Sequence, residues 1–183
     1  WTLVPFVRSG CPPTAPSYAS DPSCADWLTA AISEIESGDF DLIITNGTRR
    51  EDDDKGPGGV DIVPESYLEM FKKLTPVAPV LAIRDTPRFG SSMPKCWEAG
   101  EACEFPLADF ISPIDPTIDA RIDRTAFVDM NDLLCPGGLC TPIIGNRFVW
   151  RDASHLSRAY VLSIADAGAV RWEDALISAN LMP

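Results

Sequence analysis

Two short, almost unbroken apolar runs, Asp41-Leu-Ile-Ile-Thr45 and Pro79-Val-Leu-Ala-Ile-Arg-Asp85, constrain the fold more than any other feature of this sequence. A strand with one wet face alternates apolar and polar residues, whereas a strand covered on both faces reads as a continuous apolar run. The first run stops at Asn46-Gly47, a turn signal. Between the runs, Tyr67, Met70, Phe71 and Leu74 recur at helical spacing. Ahead of them, Asp21-Pro22-Ser23 offers cap and first-turn residues for a helix to about Ser37, with Trp27, Leu28, Ala31, Ile32 and Ile35 as its buried face. With a strand over 1–8 and another over 126–129, the alternation of strand and helix predicts an α/β fold, a mostly parallel sheet wrapped by helices.

Beyond Asp85 the pattern loosens. The sequence predicts a helix at 106–111 or 115–123, an extended segment or hairpin over 142–150, and a helix from Ser154 to Asp166 on the spacing of Leu156, Tyr160, Ile164 and Ala167. A last amphipathic helix is expected over 172–181, and with neither repeat nor linker the chain reads as one domain, 1–183.

Charge narrows the partners. Fifteen Lys+Arg against 27 Asp+Glu leave a net −12, so a phosphate backbone or an anionic membrane surface is repelled and nucleic acid is not an expected partner. The apolar runs last only a few residues, far below the roughly 20 that cross a bilayer. The sequence opens on Trp1-Thr-Leu-Val-Pro-Phe-Val without initiator Met or signal peptide, so the chain is expected to be part of a longer polypeptide.

The six cysteines, Cys11, Cys24, Cys96, Cys103, Cys135 and Cys140, contain no C-x-x-C pair, which disfavours a metal site. Their spacing suggests three local bridges, Cys11 to Cys24, Cys96 to Cys103 and Cys135 to Cys140. Six cysteines allow about fifteen connectivities, and six buried thiols in a cytosolic protein are the other reading. Bridges would require delivery outside the cytoplasm.

The loop from Arg49 to Gly59 carries Glu51-Asp-Asp-Asp54 and three glycines and reads as solvated. A calcium loop needs alternating oxygen ligands rather than a contiguous run. Asn46-Gly-Thr48 is also an N-glycosylation sequon, relevant only in a host that modifies such sites.

Any imidazole chemistry must use His155, the single histidine. In Trp150-Arg-Asp152-Ala-Ser-His155-Leu-Ser, a carboxylate three residues ahead can accept the Nδ1 proton, fix the tautomer and leave Nε2 as a general base. The bland alternative is a helix-capping Asp152 or Ser154 followed by an ordinary surface histidine.

The wider pattern resembles the SGNH hydrolase family: D-x-x-H-L-S at the start of the last helices, G-C-P after the early strand, and an Asn beyond the next strand. The stretch Cys140-Thr-Pro-Ile-Ile-Gly-Asn-Arg-Phe-Val-Trp-Arg-Asp152-Ala-Ser-His155-Leu-Ser is similar to the extracytoplasmic SGNH domain fused to membrane acyltransferase-3 proteins. Arg8-Ser-Gly10-Cys-Pro-Pro and Ala82-Ile-Arg-Asp-Thr-Pro-Arg88 fit the same domain. The resemblance implies a three-layer α/β/α, flavodoxin-like fold, here without its first strand. It implies Asp152 and His155 as catalytic acid and base, with the Gly10 N–H and the Asn46 side chain as oxyanion donors. A left-handed turn at Asn46 before Gly47 is the competing structural reading.

By the same resemblance the reaction is O-acylation, or ester hydrolysis, on a cell-envelope glycan, without cofactor or metal. The partners implied are a membrane acyltransferase-3 domain in the same polypeptide, an acyl donor and a glycan acceptor, all on the extracytoplasmic side. The family's nucleophilic serine lies in a G-D-S block that this sequence lacks, and Ser9, Ser17, Ser20 and Ser23 stand in the wrong context to replace it. The serine is therefore expected upstream of residue 1. The rivals are a non-catalytic module that holds a glycan beside the membrane enzyme, and a disulfide-stabilised interaction domain with an incidental D-x-x-H.

Overall fold

A computed structural model describes residues 2–51 and 60–181. Its elements run α1 (Pro22–Ser37), β1 (Ile43–Asn46), β2 (Arg49–Arg50), β3 (Asp61–Ile62), α2 (Glu65–Leu74), β4 (Val80–Ile83), α3 (Met93–Glu98), β5 (Phe105–Pro106), β6 (Thr125–Val128), α4 (Asn131–Leu134), β7 (Leu139–Cys140), β8 (Ile143–Ile144), β9 (Arg147–Phe148), α5 (Arg158–Ser163) and α6 (Ala165–Ser178). The acidic run Asp52–Asp54, with the solvated-loop and calcium-loop readings attached to it, lies outside the described residues.

The central sheet has the order β1-β4-β6, all parallel, with Ile43 opposite Val80, Val80 opposite Thr125, and Asn46 opposite Ile83. β4 lies between two neighbours and under both helix layers, so Val80, Leu81 and Ala82 are fully buried. That is why its sequence does not alternate. Alternation appears instead in where its side chains go. Val80 and Ala82 join α1 and α2 in a core with Leu28, Ile32, Ile35, Met70 and Phe71, while Leu81 joins Ala126, Val128 and Leu176 of α6 on the opposite face. The result is three layers, α/β/α.

α1 begins where Asp21 caps it, its carboxylate accepting the Ser23 N–H at 2.9 Å, with Pro22 at the first helical position. All six cysteines are paired: Cys11–Cys24 ties the preceding loop to α1, Cys96–Cys103 closes the chain after α3, and Cys135–Cys140 joins the end of α4 to β7. The last bridge lies in a second core with Phe89, Met93, Leu134, Val149, Trp150 and Tyr160.

The expected elements that did not form have identifiable physical reasons. Residues 2–8 form no strand; no neighbouring strand among the described residues pairs with them, and only Phe6 packs inward, edge-on to Phe40. The helix expected at 106–111 or 115–123 is a single 3₁₀ turn, Leu107–Asp109, with turns within 115–123, where the Asp115 carboxylate accepts the Thr117 N–H and hydroxyl and offers the backbone a local alternative to a helical ladder. The helix expected from Ser154 starts at Arg158, and the last one starts at Ala165 rather than 172. The two meet at a kink at Ile164. There Ser163 Oγ donates to the Tyr160 carbonyl, which also receives the Ile164 N–H, so a side chain intrudes into the ladder. The 142–150 stretch is the β8–β9 hairpin, closing into the buried pair Val149 and Trp150.

Candidate active site

The carboxyl ends of the parallel strands gather the polar residues, the edge at which open α/β sheets hold ligands. Asn46 is the last residue of β1, extended and exposed. Among the described residues only Arg124 and Asn180 are non-glycine positions with positive φ, so the left-handed turn considered for Asn46 does not occur. Gly47 follows because the backbones converge: its N–H donates to Ile83 O at 2.6 Å, and a Cβ there would lie 3.1 Å from the Ala82 carbonyl carbon. Gly10 has φ +72, a turn conformation that favours glycine, just before the Cys11–Cys24 bridge.

His155 stands on a loop whose base is firmly closed. Trp150 bridges Leu156, Arg151 N–H donates to His155 O at 2.7 Å, and Ser157 N–H donates to Val149 O at 2.8 Å. Trp150 is fully buried, its indole N–H donating to Thr141 O at 3.2 Å. Ser157, not Asp152 or Ser154, caps the following helix, accepting the Tyr160 N–H.

Within this loop the Asp152 carboxylate organises everything nearby. Its Oδ1 accepts the backbone N–H of Ser154 and of His155, each at 2.9 Å, and its Oδ2 lies 2.9 Å from His155 Nδ1. A neutral imidazole that donates Nδ1–H to Asp152 presents an unprotonated Nε2 outward, and the ring is 66% exposed. The Ser154 N–H first, together with the His155 N–H and imidazole, holds the Asp152 carboxyl well below the usual carboxylate range against the opposing cost of desolvation. Arg151 adds an exposed ion pair at 3.3 Å.

The strand β4 exit supports the loop. Phe89 N–H donates to Ala153 O at 2.8 Å, and Thr86 Oγ1 donates to Ser154 O at 3.2 Å. That exit is itself fixed: Thr48 Oγ1 accepts the Asp85 N–H, and Asn131 donates its side-chain amide to Asp85 O. One residue earlier, buried Arg84 makes two bonds to buried Asp61, at 2.8 and 2.9 Å, and one to Asp129 at 3.0 Å; it also donates to Ser112 O. Burial by itself would lower the guanidinium's pKa and raise the Asp61 carboxyl's, but their mutual bonds and charges win in both groups, leaving Arg84 raised and Asp61 lowered. Sequence reasoning missed this cluster. Arg84 was visible as a charge ending an apolar run, but nothing in the sequence points from it to Asp61, 23 residues away.

The structure therefore brings Asp152 and His155 together, while no hydrogen bond among the described residues links Gly10 or Asn46 to that pair. Among the described residues no group of three or more His, Cys, Asp or Glu could hold a metal ion, and no helix is long and apolar enough to cross a membrane.

Residues 2–167 match the family described as the SGNH domain (fused to AT3 domains). No curated protein matches the sequence. Among solved structures, the periplasmic domain of a lipopolysaccharide acetyltransferase from Salmonella ser. Paratyphi A is similar in fold, with a TM-score of 0.57 at 16% identity over 87% of this chain and 69% of that one.

Proposed function

Because the chain belongs to the family of SGNH domains that are fused to AT3 domains, we propose that it is the catalytic part of a serine O-acyltransferase or acetylesterase acting on a cell-envelope glycan. The observation that carries this reading is the Asp152–His155 contact at 2.9 Å, which orients the only imidazole of the chain as a base. The nucleophile is a serine contributed from upstream of residue 1, on a strand that would add to the edge of β1 opposite β4.

In the reaction, the serine Oγ attacks the acyl carbonyl and His155 Nε2 takes the hydroxyl proton. Asp152 stabilises the imidazolium so formed. The Gly10 N–H and the Asn46 amide donate to the oxyanion, each worth about 3 kcal/mol in the transition state. Collapse releases the donor's alcohol or thiol, which takes the proton from His155; a glycan hydroxyl or water then attacks the acyl-serine by the same proton path in reverse. The AT3 domain of the same polypeptide would supply the acyl group. Three disulfides support folding in an oxidising, extracytoplasmic compartment. Nothing in the architecture requires a second unit, and we treat 1–183 as one domain.

A serine-directed fluorophosphonate, applied to the full-length protein, tests the proposal. Labelling that disappears in His155→Ala is expected. The second reading is a non-catalytic module that holds the glycan, which requires that no G-D-S precede the chain; a folded, full-length protein that takes no label would support that reading instead.

A further inference from the structure

The β8–β9 hairpin and the loop closed by Cys96–Cys103 face each other across an open groove lined by Trp97, Glu101, Glu104, Thr141, Asn146 and Phe148. We infer that this groove binds an oligosaccharide of uncharged or amino sugars, with a pyranose face stacked on Trp97 and the chain running past Phe148 toward His155.

Trp97 is 54% exposed and Phe148 38%, both large aromatic rings left in water and outside the packed cores. Sites for small ligands combine such aromatic surface with a few polar groups that fix orientation. Here the polar groups suit hydroxyls: Glu101 and Glu104 accept, Asn146 donates and accepts, and Thr141, whose hydroxyl already donates to Ile143 O, keeps lone pairs to accept.

Both walls are held in place before any ligand arrives. Cys96–Cys103 closes one and Cys135–Cys140 anchors the other, and β5 pairs with β7, Phe105 opposite Cys140, to join them. A preformed groove loses little conformational entropy on binding.

Charge selects the class. Among the described residues two carboxylates and no cation line the groove, in a chain of net −12, so a uronate or sugar phosphate is repelled while a neutral or amino sugar is accommodated. Position supplies the connection to chemistry. Ser157 Oγ donates to Phe148 O, and Ser157 is two residues from His155, a separation of about 7 Å along an extended backbone. The groove rests on the proposed reaction only for the statement that its occupant is the acyl acceptor.

The test is a titration of the disulfide-bonded full-length protein, following indole N–H resonances by nuclear magnetic resonance. The probes are tetramers of N-acetylglucosamine, glucosamine, maltose-type glucose and galacturonate. At least one of the first three is expected to move the Trp97 indole signal and to bind at least tenfold more tightly than tetragalacturonate. Trp97→Ala should weaken that binding about tenfold, and Trp97→Phe by much less. Trp97 is half in water, so its removal leaves the core intact, which an unchanged thermal transition would verify. Tightest binding by tetragalacturonate, no shift with any neutral or amino tetramer, or undiminished binding by Trp97→Ala would overturn the assignment. Binding needs no nucleophile, so a full-length protein that resists fluorophosphonate sinks the reaction while leaving the groove, and the reverse result does the opposite.

Discussion

Asp152 holds the backbone N–H groups of Ser154 and His155, the imidazole Nδ1 and the Arg151 guanidinium at once, and this decides how its neighbour behaves. Asp152→Asn keeps the shape but can donate to Nδ1, which favours the wrong tautomer; with the upstream serine present, acyl-ester turnover should fall about 10³- to 10⁴-fold, and similarly for His155→Ala. Steady-state kinetics on the full-length protein reads this directly. The same carboxylate has a pH signature. Its folded pKa lies below the unfolded value of about 3.9, so its contribution to stability is present above that value and is lost as pH falls through the folded one. Urea midpoints measured at pH 5 and pH 2.5 should therefore drop further for the natural protein than for Asp152→Asn; equal drops would mean that the carboxylate is not held by these donors. Asp152 and His155 were legible because they are three residues apart and bond within one loop. The placement of Asn46 at a strand end was legible too, but its extended conformation depended on pairing with β4, which no local signal announces.

Among elements, β4 and α1 were readable because each writes its environment into its own sequence: the run Val80–Ile83 is apolar throughout, and Asp21-Pro22 marks a helix start. The two-residue strands β2, β3, β5 and β7 carry no such period, since their pairing is made entirely with distant chain. β3 nevertheless delivers Asp61 to Arg84. Asp61→Ala leaves a buried guanidinium with Asp129 and a carbonyl as partners, and should cost about 3 kcal/mol in denaturant unfolding, the lower end for a broken buried pair. Asp61→Asn, which keeps one acceptor, should cost less. The bridge Cys11–Cys24 closes a 13-residue separation directly after Gly10, and the double Ser variant should lose about 3 kcal/mol. A change below 0.5 kcal/mol would mean that the loop is ordered without it.

On the scale of the whole molecule, three layers meet on a sheet of three parallel strands, and two helical faces converge on β4. The close approach of β1 and β4 at Gly47 is part of that packing, so Gly47→Ala should lower the thermal midpoint without touching the dyad. The three bridges predict that oxidised protein, by intact mass, is six hydrogens lighter than the reduced chain and melts at a higher temperature. Recovery of six reactive thiols from freshly isolated protein would contradict both the pairing and the oxidising compartment.

The sequence by itself determined the class of fold, the acidic charge, the local cysteine spacing and the Asp152–His155 pairing, because each is a matter of composition, period or short separation. Only the tertiary structure decided that residues 2–8 are not a strand, that the last helices break at Ile164, that Arg84 is neutralised by Asp61 and Asp129, and that Trp97 faces Phe148 across a groove. These depend on which distant segments come to lie side by side, and a backbone or charged group is stable only with the partner that the fold brings to it.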